Sequence, residues 1–236
     1  MKTQAIIPAA GMGLRLKASS PKPFIRLRGK PICVYALEMF QKSPLINSVI
    51  VVAHVRYLEK FRRIAQKYKL DKITKIVAGG EERHQSVCRG LEALDPDTDC
   101  VVIHDSARPL ITTKIIDGAV KACFRHLAVT TAVPVKPTIK EVHPGGMTVK
   151  RTLKRSLLWE TQTPQVFKKE IIVKAHRRSR DRHPTDDAGL VEAMGIKVKV
   201  IRGDYRNIKI TTKEDLLLAA VLLGRRKGRA DRCHRG

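Results

Sequence analysis

The sequence predicts an α/β fold: a Rossmann-like, mostly parallel twisted sheet flanked by helices, with a protruding β-hairpin. Three observations support this prediction. Short apolar runs typical of buried strands recur along the chain, the segments between the first four runs have helical periodicity, and a Pro-Gly-Gly tip later separates two extended segments. Strands that alternate with helices usually form a parallel sheet with crossover helices on its faces.

The first half of the chain carries the regular alternation. The predicted strands are Gln4–Pro8, Ser48–Ala53, Ile73–Val77, Cys100–His104 and Val129–Val135. Apolar residues mark the three helices between the first four strands: Tyr35, Leu37, Met39 and Phe40, then Leu58, Phe61, Ile64 and Ala65, then Val87, Leu91 and Leu94.

The alternation breaks after Val135, where Pro144-Gly145-Gly146 separates Thr138–Val142 from Thr148–Arg151 and predicts a two-stranded hairpin. A lone hairpin is marginally stable in water, so we expect this arm, residues 137–155, to pack on a second subunit. The later elements predicted are a strand at 165–167, a helix at 169–178, a helix start at Pro184–Asp187, a strand at Lys197–Ile201 and a closing helix at Lys213–Leu223.

Bulk composition indicates one domain. The chain has 236 residues, of which 43% are hydrophobic, enough for one substantial core, so we predict a single domain over residues 1–224.

No apolar run could span a bilayer and the N-terminus lacks the order of a signal peptide, so we expect a cytoplasmic protein without a membrane partner. The five cysteines are odd in number and form no C-x-x-C pair, which argues against a disulfide framework and a zinc site.

The net charge is unusually high. Lys and Arg number 47 against 22 Asp and Glu, a formal charge of +25, and such an excess attracts nucleic acid. Aromatic residues are only 4%, however, and no nucleic-acid recognition motif is evident. A basic nucleic-acid-binding protein therefore stays as the alternative from another functional class, and the basic stretch 225–236 is predicted to be a disordered tail.

The loop after the first strand carries two glycines, Gly11 and Gly13, followed by Arg15 and Lys22. Glycines let backbone N–H groups approach an anion, and phosphate is the obvious anion. The spacing fits neither a P-loop nor a dinucleotide fingerprint, which leaves a nucleoside triphosphate bound for attack at phosphorus. The plain alternative is an ordinary turn with solvated charges.

Two more motifs follow predicted strands: Gly79-Gly80 with Arg83 and Ser86 after the third, and Asp105 with Arg108 after the fourth. Each alone could be a turn or a helix-start charge pair. Because ligands of such sheets bind outside the carboxyl ends of the strands, the coincidence of three motifs there predicts a binding site.

Several motifs occur together in order: Ala-Ala-Gly-Met-Gly-Leu-Arg with Pro21-Lys22, the Gly79-Gly80 turn, Asp105-Ser-Ala-Arg-Pro109, Arg155–Trp159 with Gln162–Gln165, Thr185-Asp186-Asp187 and Asn207–Thr211. In these motifs the chain resembles the 2-C-methyl-D-erythritol 4-phosphate cytidylyltransferase family, from about Gln4 to about Leu223. The resemblance implies transfer of a cytidylyl group from CTP to a phosphopolyol, with release of pyrophosphate.

The resemblance also implies roles for individual residues. The catalytic cations would be Arg15, Lys22 and Lys209, and CTP would be bound by Ala10, Gly11, Gly13, Gly79, Gly80, Ser86 and Asp105. The phosphopolyol would meet Asp105, Arg108, Thr163 and Thr185, together with Thr138 and Arg155 of the partner subunit in a homodimer. Mg²⁺ would be held mainly by the CTP phosphates, with no dedicated protein ligands. Pro23 stands where the family commonly has glutamine.

The implied reaction needs no general base, which agrees with the lack of a recognisable nucleophile–base motif in the sequence. A phosphate monoester has a second pKa near ~6, so the nucleophile is already anionic at neutral pH and needs no general base. No Ser/His/Asp or Cys/His arrangement is evident, and cations with Mg²⁺ would instead neutralise the gathering charge. Ribitol 5-phosphate remains the alternative acceptor, because fold, CTP site and mechanism would be shared.

Overall fold

The computed structural model describes residues 1–11, 20–178 and 185–233, with side chains up to residue 224 in the last range. The strands are β1 (Thr3–Ala9), β2 (Arg26–Leu27), β3 (Lys30–Pro31), β4 (Ser48–Ala53), β5 (Ile73–Ala78), β6 (Cys100–Ile103), β7 (Ala128–Pro134), β8 (Lys140–Val142), β9 (Val149–Thr152), β10 (Trp159–Lys168) and β11 (Lys199–Arg202). The helices are α1 (Ile32–Lys42), α2 (Leu58–Lys67), α3 (Arg83–Glu92), α4 (Thr113–Cys123), α5 (Lys169–Arg178), α6 (Asp187–Glu192) and α7 (Lys213–Cys233).

Seven strands form the main sheet in the order β11-β7-β10-β6-β1-β4-β5. All neighbouring pairs are parallel except those of β10, which runs antiparallel to both β6 and β7. The predicted fold class, a mostly parallel sheet flanked by helices, is confirmed.

Side chains of the central strands alternate between two cores. Along β1, Ala5 and Ile7 pack with α1, α2 and α4, whereas Ile6 packs with α3, α5 and α6 on the opposite face. This alternation is why the strand is apolar throughout, as is typical of a sheet covered on both faces. A third cluster joins α7 to β2 through Leu27, Ile210 and Ala219.

The predicted strands and helices of the first half are present, but α4 was not predicted. Its apolar residues Ile116, Ala119, Val120 and Cys123 follow helical spacing and are fully buried. Thr112 caps the helix, its hydroxyl accepting from the backbone N–H of Ile115 at 3.3 Å. Both signals were readable in the sequence.

Two later elements are longer than predicted. β10 begins at Trp159 rather than 165, because the polar residues Gln162 and Thr163 are buried in the sheet by tertiary contacts and carry no apolar pattern. α7 continues past Leu223 to Cys233, so the described backbone of the predicted tail is helical. Among the described residues, no helix is long and apolar enough to cross a membrane.

The hairpin lies where the sequence predicts it. β8 and β9 pair antiparallel in a two-stranded sheet of their own, with Lys140 opposite Thr152. Most of its side chains face solvent, including Met147, which is 100% exposed. We call residues 137–155 the arm; its packing on a second subunit stays a prediction.

Candidate active site

One cleft collects the motifs that follow β1, β5 and β6. It has a volume of about 630 Å³, and seven of the predicted site residues line it: Ala10, Gly11, Lys22, Gly80, Ser86, Asp105 and Lys209. These three strands belong to one run of parallel strands, β6-β1-β4-β5, whose carboxyl ends point to the same sheet edge, which explains why motifs far apart in the chain meet there.

Asp105 is the electrostatic centre of this cleft. Its carboxylate lies 2.9 Å from Arg83 Nε through one oxygen and 2.8 Å from Lys209 Nζ through the other. Burial would raise the pKa of Asp105, which is 7% exposed, but the charges of Arg83, Lys209 and Arg108 outweigh it and hold the pKa well below its usual range. Asp105 is therefore ionised at any physiological pH.

The loop that carries Lys209 is pinned to the strand edge. The Arg108 guanidinium donates to the backbone carbonyl of Asn207 at 2.8 Å, and the Ile210 N–H donates to the Ala107 carbonyl at 2.9 Å. Asn207 is fully buried and its amide donates to the carbonyl of Thr163 at 2.9 Å. These bonds explain why Lys209, 104 residues after Asp105 in the chain, reaches its carboxylate.

A buried network supports Asp105 from below. The Asp105 N–H donates to the Thr163 hydroxyl at 3.1 Å, and that hydroxyl lies 3.0 Å from His104 Nδ1. Burial lowers the pKa of His104 to about 4, so the ring is neutral and accepts from Thr163. Thr163, Arg108 and His104 are all at least nine-tenths buried, and each makes at least one hydrogen bond within the scaffold beneath the cleft.

The Gly79-Gly80 turn is tightly packed against α3. A Cβ on Gly79 would stand 2.6 Å from Ser86 Oγ and 3.0 Å from the Cβ of Ala10. A Cβ on Gly80 would stand 2.5 Å from that of Gln85, whose side chain accepts from the Glu82 N–H and completes a capping box. Glycine is required at both positions because any side chain would collide.

Lys22 enters the cleft from a short 3₁₀ helix, Lys22–Phe24. Pro21 and Pro23 flank it, and Pro23 sits inside the first turn, where its missing N–H leaves no hydrogen bond unmade. The proline at this position, which stood out in the sequence, is thus compatible with the local backbone.

The other predicted site residues lie elsewhere. Thr138 and Arg155 are exposed at the base of the arm, where the Arg155 guanidinium donates to the Lys136 carbonyl at 3.0 Å, and neither lines the cleft of its own chain. Thr185 is exposed just before α6 and Gly79 lies behind the cleft. Gly13 and Arg15, with Pro184 of the predicted helix start, lie outside the described residues.

The list of predicted site residues missed Arg83. It bridges two acidic groups, Asp105 at 2.9 Å and Asp187 at 2.8 Å, so it links the cleft to the start of α6. Asp187 in turn contacts His176 of α5 at 3.0 Å. The arginine of the Gly-Gly-Glu-Glu-Arg motif was visible in the sequence, but its second partner, 104 positions later, was not.

The arrangement suits a polyphosphate. Two lysines and a tight glycine turn face one cleft, and the carboxylate among them is fixed by cations. Within the described part of the chain, no group of three or more His, Cys, Asp or Glu side chains could hold a metal ion. The cleft thus offers cations and backbone groups to an anionic ligand.

Comparisons with known proteins agree with one another. The model of the family IspD, 2-C-methyl-D-erythritol 4-phosphate cytidylyltransferase, matches residues 3–225. A protein of that name from Caldanaerobacter subterraneus subsp. tengcongensis is 44% identical over 94% of this chain and 99% of its own length. Another, from Halalkalibacterium halodurans, is 42% identical over 97% of this chain and all of its own.

Solved structures give the same result. The 4-diphosphocytidyl-2C-methyl-D-erythritol synthase of Anaerococcus prevotii superimposes with a TM-score of 0.84 at 32% identity, covering 94% of this chain and 98% of that one. The 2-C-methyl-D-erythritol 4-phosphate cytidylyltransferase of Thermus thermophilus superimposes with a TM-score of 0.76 at 28% identity, covering 94% of this chain and 99% of that one.

Proposed function

Since the chain belongs to the 2-C-methyl-D-erythritol 4-phosphate cytidylyltransferase family, we propose that its cleft binds CTP and presents the α-phosphorus to the phosphate of 2-C-methyl-D-erythritol 4-phosphate. The enzyme is a cytidylyltransferase of the non-mevalonate isoprenoid pathway, and its products are 4-diphosphocytidyl-2-C-methyl-D-erythritol and pyrophosphate. The observation that carries the proposal is the meeting of Lys22, Lys209, Asp105 and Gly80 around one cleft.

Charge stabilisation supplies the catalysis in this proposal. The attacking phosphate is already anionic, so the obstacle is repulsion between two anions and charge gathering on the departing pyrophosphate. Lys22 and Lys209 lie where they can neutralise that charge, and Arg15 is assigned the same role from its place in the motif. A cation about 4 Å from a unit charge contributes roughly 4 kcal/mol at an effective dielectric constant of ~20.

Asp105 keeps Lys209 in place. Their 2.8 Å contact fixes the ammonium, and Arg83 holds the other carboxylate oxygen, so the lysine is oriented before substrate arrives. CTP is proposed to displace part of this pairing, with Asp105 turning towards the sugar and Ala10, Gly11, Gly13, Gly79, Gly80 and Ser86 forming the nucleoside wall.

The phosphopolyol is proposed to use residues of two subunits. Thr138 and Arg155 are exposed and do not line their own chain's cleft, which supports a homodimer in which each arm reaches the partner's site. Arginine suits this role because its guanidinium can bind phosphate in a bidentate manner. Thr185 is assigned to the same subsite, and Arg108 and Thr163 are proposed to act from beneath it, through Asn207 and Asp105.

Mg²⁺ is the proposed cofactor, held mainly by the CTP phosphates. Its preference for oxygen ligands fits a cleft whose one deeply seated carboxylate, Asp105, already pairs with two cations, so the phosphates would supply most ligands. When bound, the ion would neutralise part of the charge on the phosphates. We further propose that residues 1–224 form the catalytic domain, that 225–236 lie outside it, and that the enzyme works in the cytoplasm.

Pyrophosphate release tests the proposal directly. Purified protein is incubated with CTP, Mg²⁺ and either 2-C-methyl-D-erythritol 4-phosphate or ribitol 5-phosphate, in parallel. We expect release with the first acceptor and little with the second. Equal or greater release with ribitol 5-phosphate would overturn the acceptor assignment, and no release with either would overturn the proposed function.

A further inference from the structure

A second cavity lies on the far side of α3 from the cleft. It has a volume of about 670 Å³, within the range of small-molecule sites, and α3, α5 and α6 supply most of its lining. Gly80 borders both spaces, so the two are separated by little more than one helix and its leading turn. Cys88 and His176 face this second cavity.

Cys88 belongs to a chain of three polar side chains. Its sulfur lies 3.2 Å from His176 Nδ1, and His176 Nε2 lies 3.0 Å from an Asp187 carboxylate oxygen. His176 and Asp187 are 4% and 1% exposed, whereas Cys88 is only partly buried. A carboxylate that orients an imidazole against a thiol is the arrangement that activates cysteine nucleophiles.

His176 is held as a hydrogen-bond donor to the Cys88 sulfur. Burial lowers its pKa, but the hydrogen bonds with Asp187 and Cys88 outweigh burial and raise the pKa to about 9. The imidazole is then protonated at neutral pH, and with Nε2–H donating to Asp187, its Nδ1–H donates to sulfur. A hydrogen bond between an imidazole and a sulfur, with a carboxylate behind the ring, is the contact found at nucleophilic cysteines.

The other described cysteines differ. Cys33, Cys100 and Cys123 are fully buried in the core, and burial raises the pKa of Cys33 to about 12. They are inaccessible to reagents while the fold is intact. Cys88 is therefore the one thiol, of those whose side chains the structure describes, that combines access with an activating partner.

The cavity also has a charge preference. Arg89 and Arg177 line it with exposed guanidinium groups, and His84 and Glu92 are its remaining charged or titratable lining residues besides Cys88 and His176. Glu92 is paired with Arg89 at 3.2 Å, so the unneutralised charge at the opening is positive. An anionic molecule is attracted into such a site.

We propose that Cys88 is a modification site at which small anionic disulfides form a mixed disulfide, and that the adduct slows cytidylyl transfer through α3. In the reaction, the Cys88 thiolate attacks one sulfur of the disulfide, a new S–S bond forms and the old one breaks. The leaving sulfur departs as a thiolate with the bonding pair, so the departing half is reduced while Cys88 is oxidised. The proton remains on His176, which keeps its pair with Asp187.

Two physical links connect the adduct to the cleft. Cys88 lies on α3 two residues after Ser86, which lines the cleft, so added bulk displaces the wall that both spaces share. Asp187, which holds His176, also pairs with Arg83, and Arg83 holds Asp105. A shift of His176 is thereby passed to the carboxylate that positions Lys209.

The test uses a Cys233→Ser background, which leaves Cys88 and the three buried cysteines. Labelling by the dianionic aromatic disulfide 5,5′-dithiobis(2-nitrobenzoate) is followed by absorbance, without substrates, and compared with the cationic disulfide cystamine. Each rate is divided by that of free N-acetylcysteine with the same reagent, which removes the difference between the leaving groups. We expect one thiol to react, with a larger relative rate for the anionic reagent, and about tenfold faster than in the His176→Gln variant. The Cys88→Ala variant should not react and should keep full transferase activity.

A second measurement does not depend on the folding of His176→Gln. At pH 7, Cys88 should be labelled by the anionic reagent faster than the free thiol N-acetylcysteine, because its sulfur contacts His176 and the opening of the cavity is positively charged. A Cys88 rate no higher than that of the free thiol would overturn the proposed activation. A rate relative to N-acetylcysteine that is no larger with the anionic reagent than with cystamine would overturn the charge preference.

Activity after labelling tests the link to the cleft. The mixed disulfide should lower pyrophosphate release at least about fivefold, dithiothreitol should restore it, and Cys88→Ala should be insensitive to the reagent. Undiminished release by fully labelled enzyme would overturn the coupling. Since the labelling rates are measured without substrates, they stand whether or not the proposed acceptor is right.

Discussion

The cleft and the arm contain the same electrostatic arrangement in two surroundings. In the cleft, Asp105 lies between Arg83 and Lys209; in the arm, Glu141 lies between Lys150 at 2.7 Å and Arg151 at 2.5 Å. The Asp105 side chain is 10% exposed and that of its partner Arg83 is 28% exposed, whereas the values for Glu141 and Arg151 are 30% and 66%. By their ion-pair distances alone, the two clusters would be equivalent.

Burial makes the two clusters different in kind. At Asp105, burial raises the pKa and three neighbouring cations more than offset it, so the charges depend on one another. At Glu141, hydrogen bonds from Lys150 and Arg151 lower the pKa while water screens every charge. The charges of the cleft therefore depend on one another within one chain, whereas those of the arm face solvent.

Replacing Lys209 should have the largest effect on turnover. Lys209→Ala removes a cation proposed to face the transferring phosphate, and a loss of about 4 kcal/mol corresponds to roughly 10³-fold in kcat. Lys213→Ala, at the start of α7 and outside the cleft, is the matched control and should keep wild-type kcat. Steady-state pyrophosphate release measures both, and a folded Lys209→Ala enzyme with normal kcat would remove this lysine from the mechanism.

Replacing one arginine in each cluster compares how much the two clusters contribute to the free energy of unfolding. Arg83→Gln leaves Asp105 and Asp187 buried without their shared partner, so we expect the free energy of unfolding to fall by about 3 kcal/mol. Arg151→Gln breaks an exposed pair and should leave the urea midpoint unchanged. Equal shifts in urea unfolding would contradict the distinction between the clusters.

The buried pair of His176 and Asp187 behind the cleft should also make the free energy of unfolding depend on pH. The folded pKa of His176, about 9, exceeds its ordinary value of 6.5, so its contribution is fully present below pH 6.5 and is lost as pH rises through 9. The shift corresponds to at most about 3 kcal/mol. The free energy of unfolding in urea should fall over this pH range more for wild type than for His176→Gln. Parallel pH profiles of the two proteins would show that His176 is not responsible.

Arg155 tests whether the arm acts on a partner. Arg155→Ala should raise the KM for the phosphopolyol about tenfold with little change in kcat or stability, because the exposed guanidinium bonds only a carbonyl in its own chain among the described residues. Arg151→Ala, farther along the arm, is the matched control. An unchanged KM would contradict the assignment.

Mixing two defective variants separates action within a chain from action between chains. In a heterodimer of Lys209→Ala and Arg155→Ala, an arm that acts on its partner gives one fully intact site, whereas an arm that acts on its own chain gives none. Random reassociation should then recover about a quarter of wild-type activity at low phosphopolyol concentration. Activity no higher than the average of the separate variants would rule out a shared site.

The same contrast explains how far the sequence could predict the structure. The motifs after β1, β5 and β6 were predicted to meet because parallel strands end at one edge, and Ala10, Gly80 and Asp105 do line one cleft. That inference needs only local patterns and a topological rule. The pairing of Arg83 with Asp187 needs the packing of α5 and α6 against the sheet, which no local pattern contains.

Burial of polar residues was likewise beyond local patterns. The predicted substrate roles of Thr163 and Arg108 stay predictions, but their burial and their hydrogen bonds within the scaffold come from tertiary contacts that residue type does not reveal. The early start of β10 has the same origin, since Gln162 is polar but 2% exposed. By contrast α4 has regular apolar spacing and a capping threonine, so its omission was a failure to use a signal that was present.

Pro23 should have the smallest effect of the changes considered, although it adjoins Lys22. Proline occupies the first turn of the 3₁₀ helix without removing a needed N–H, and it restricts the unfolded chain, so Pro23→Gln should cost less than about 1 kcal/mol of stability. The pyrrolidine ring is buried, so Pro23→Ala separates loss of packing from loss of stiffness. Because the cleft fixes its cations through buried contacts, kcat for Pro23→Gln should stay within about threefold of wild type by pyrophosphate release. A kcat loss approaching that of Lys209→Ala would mean that backbone stiffness at this turn, rather than the buried charges, positions Lys22.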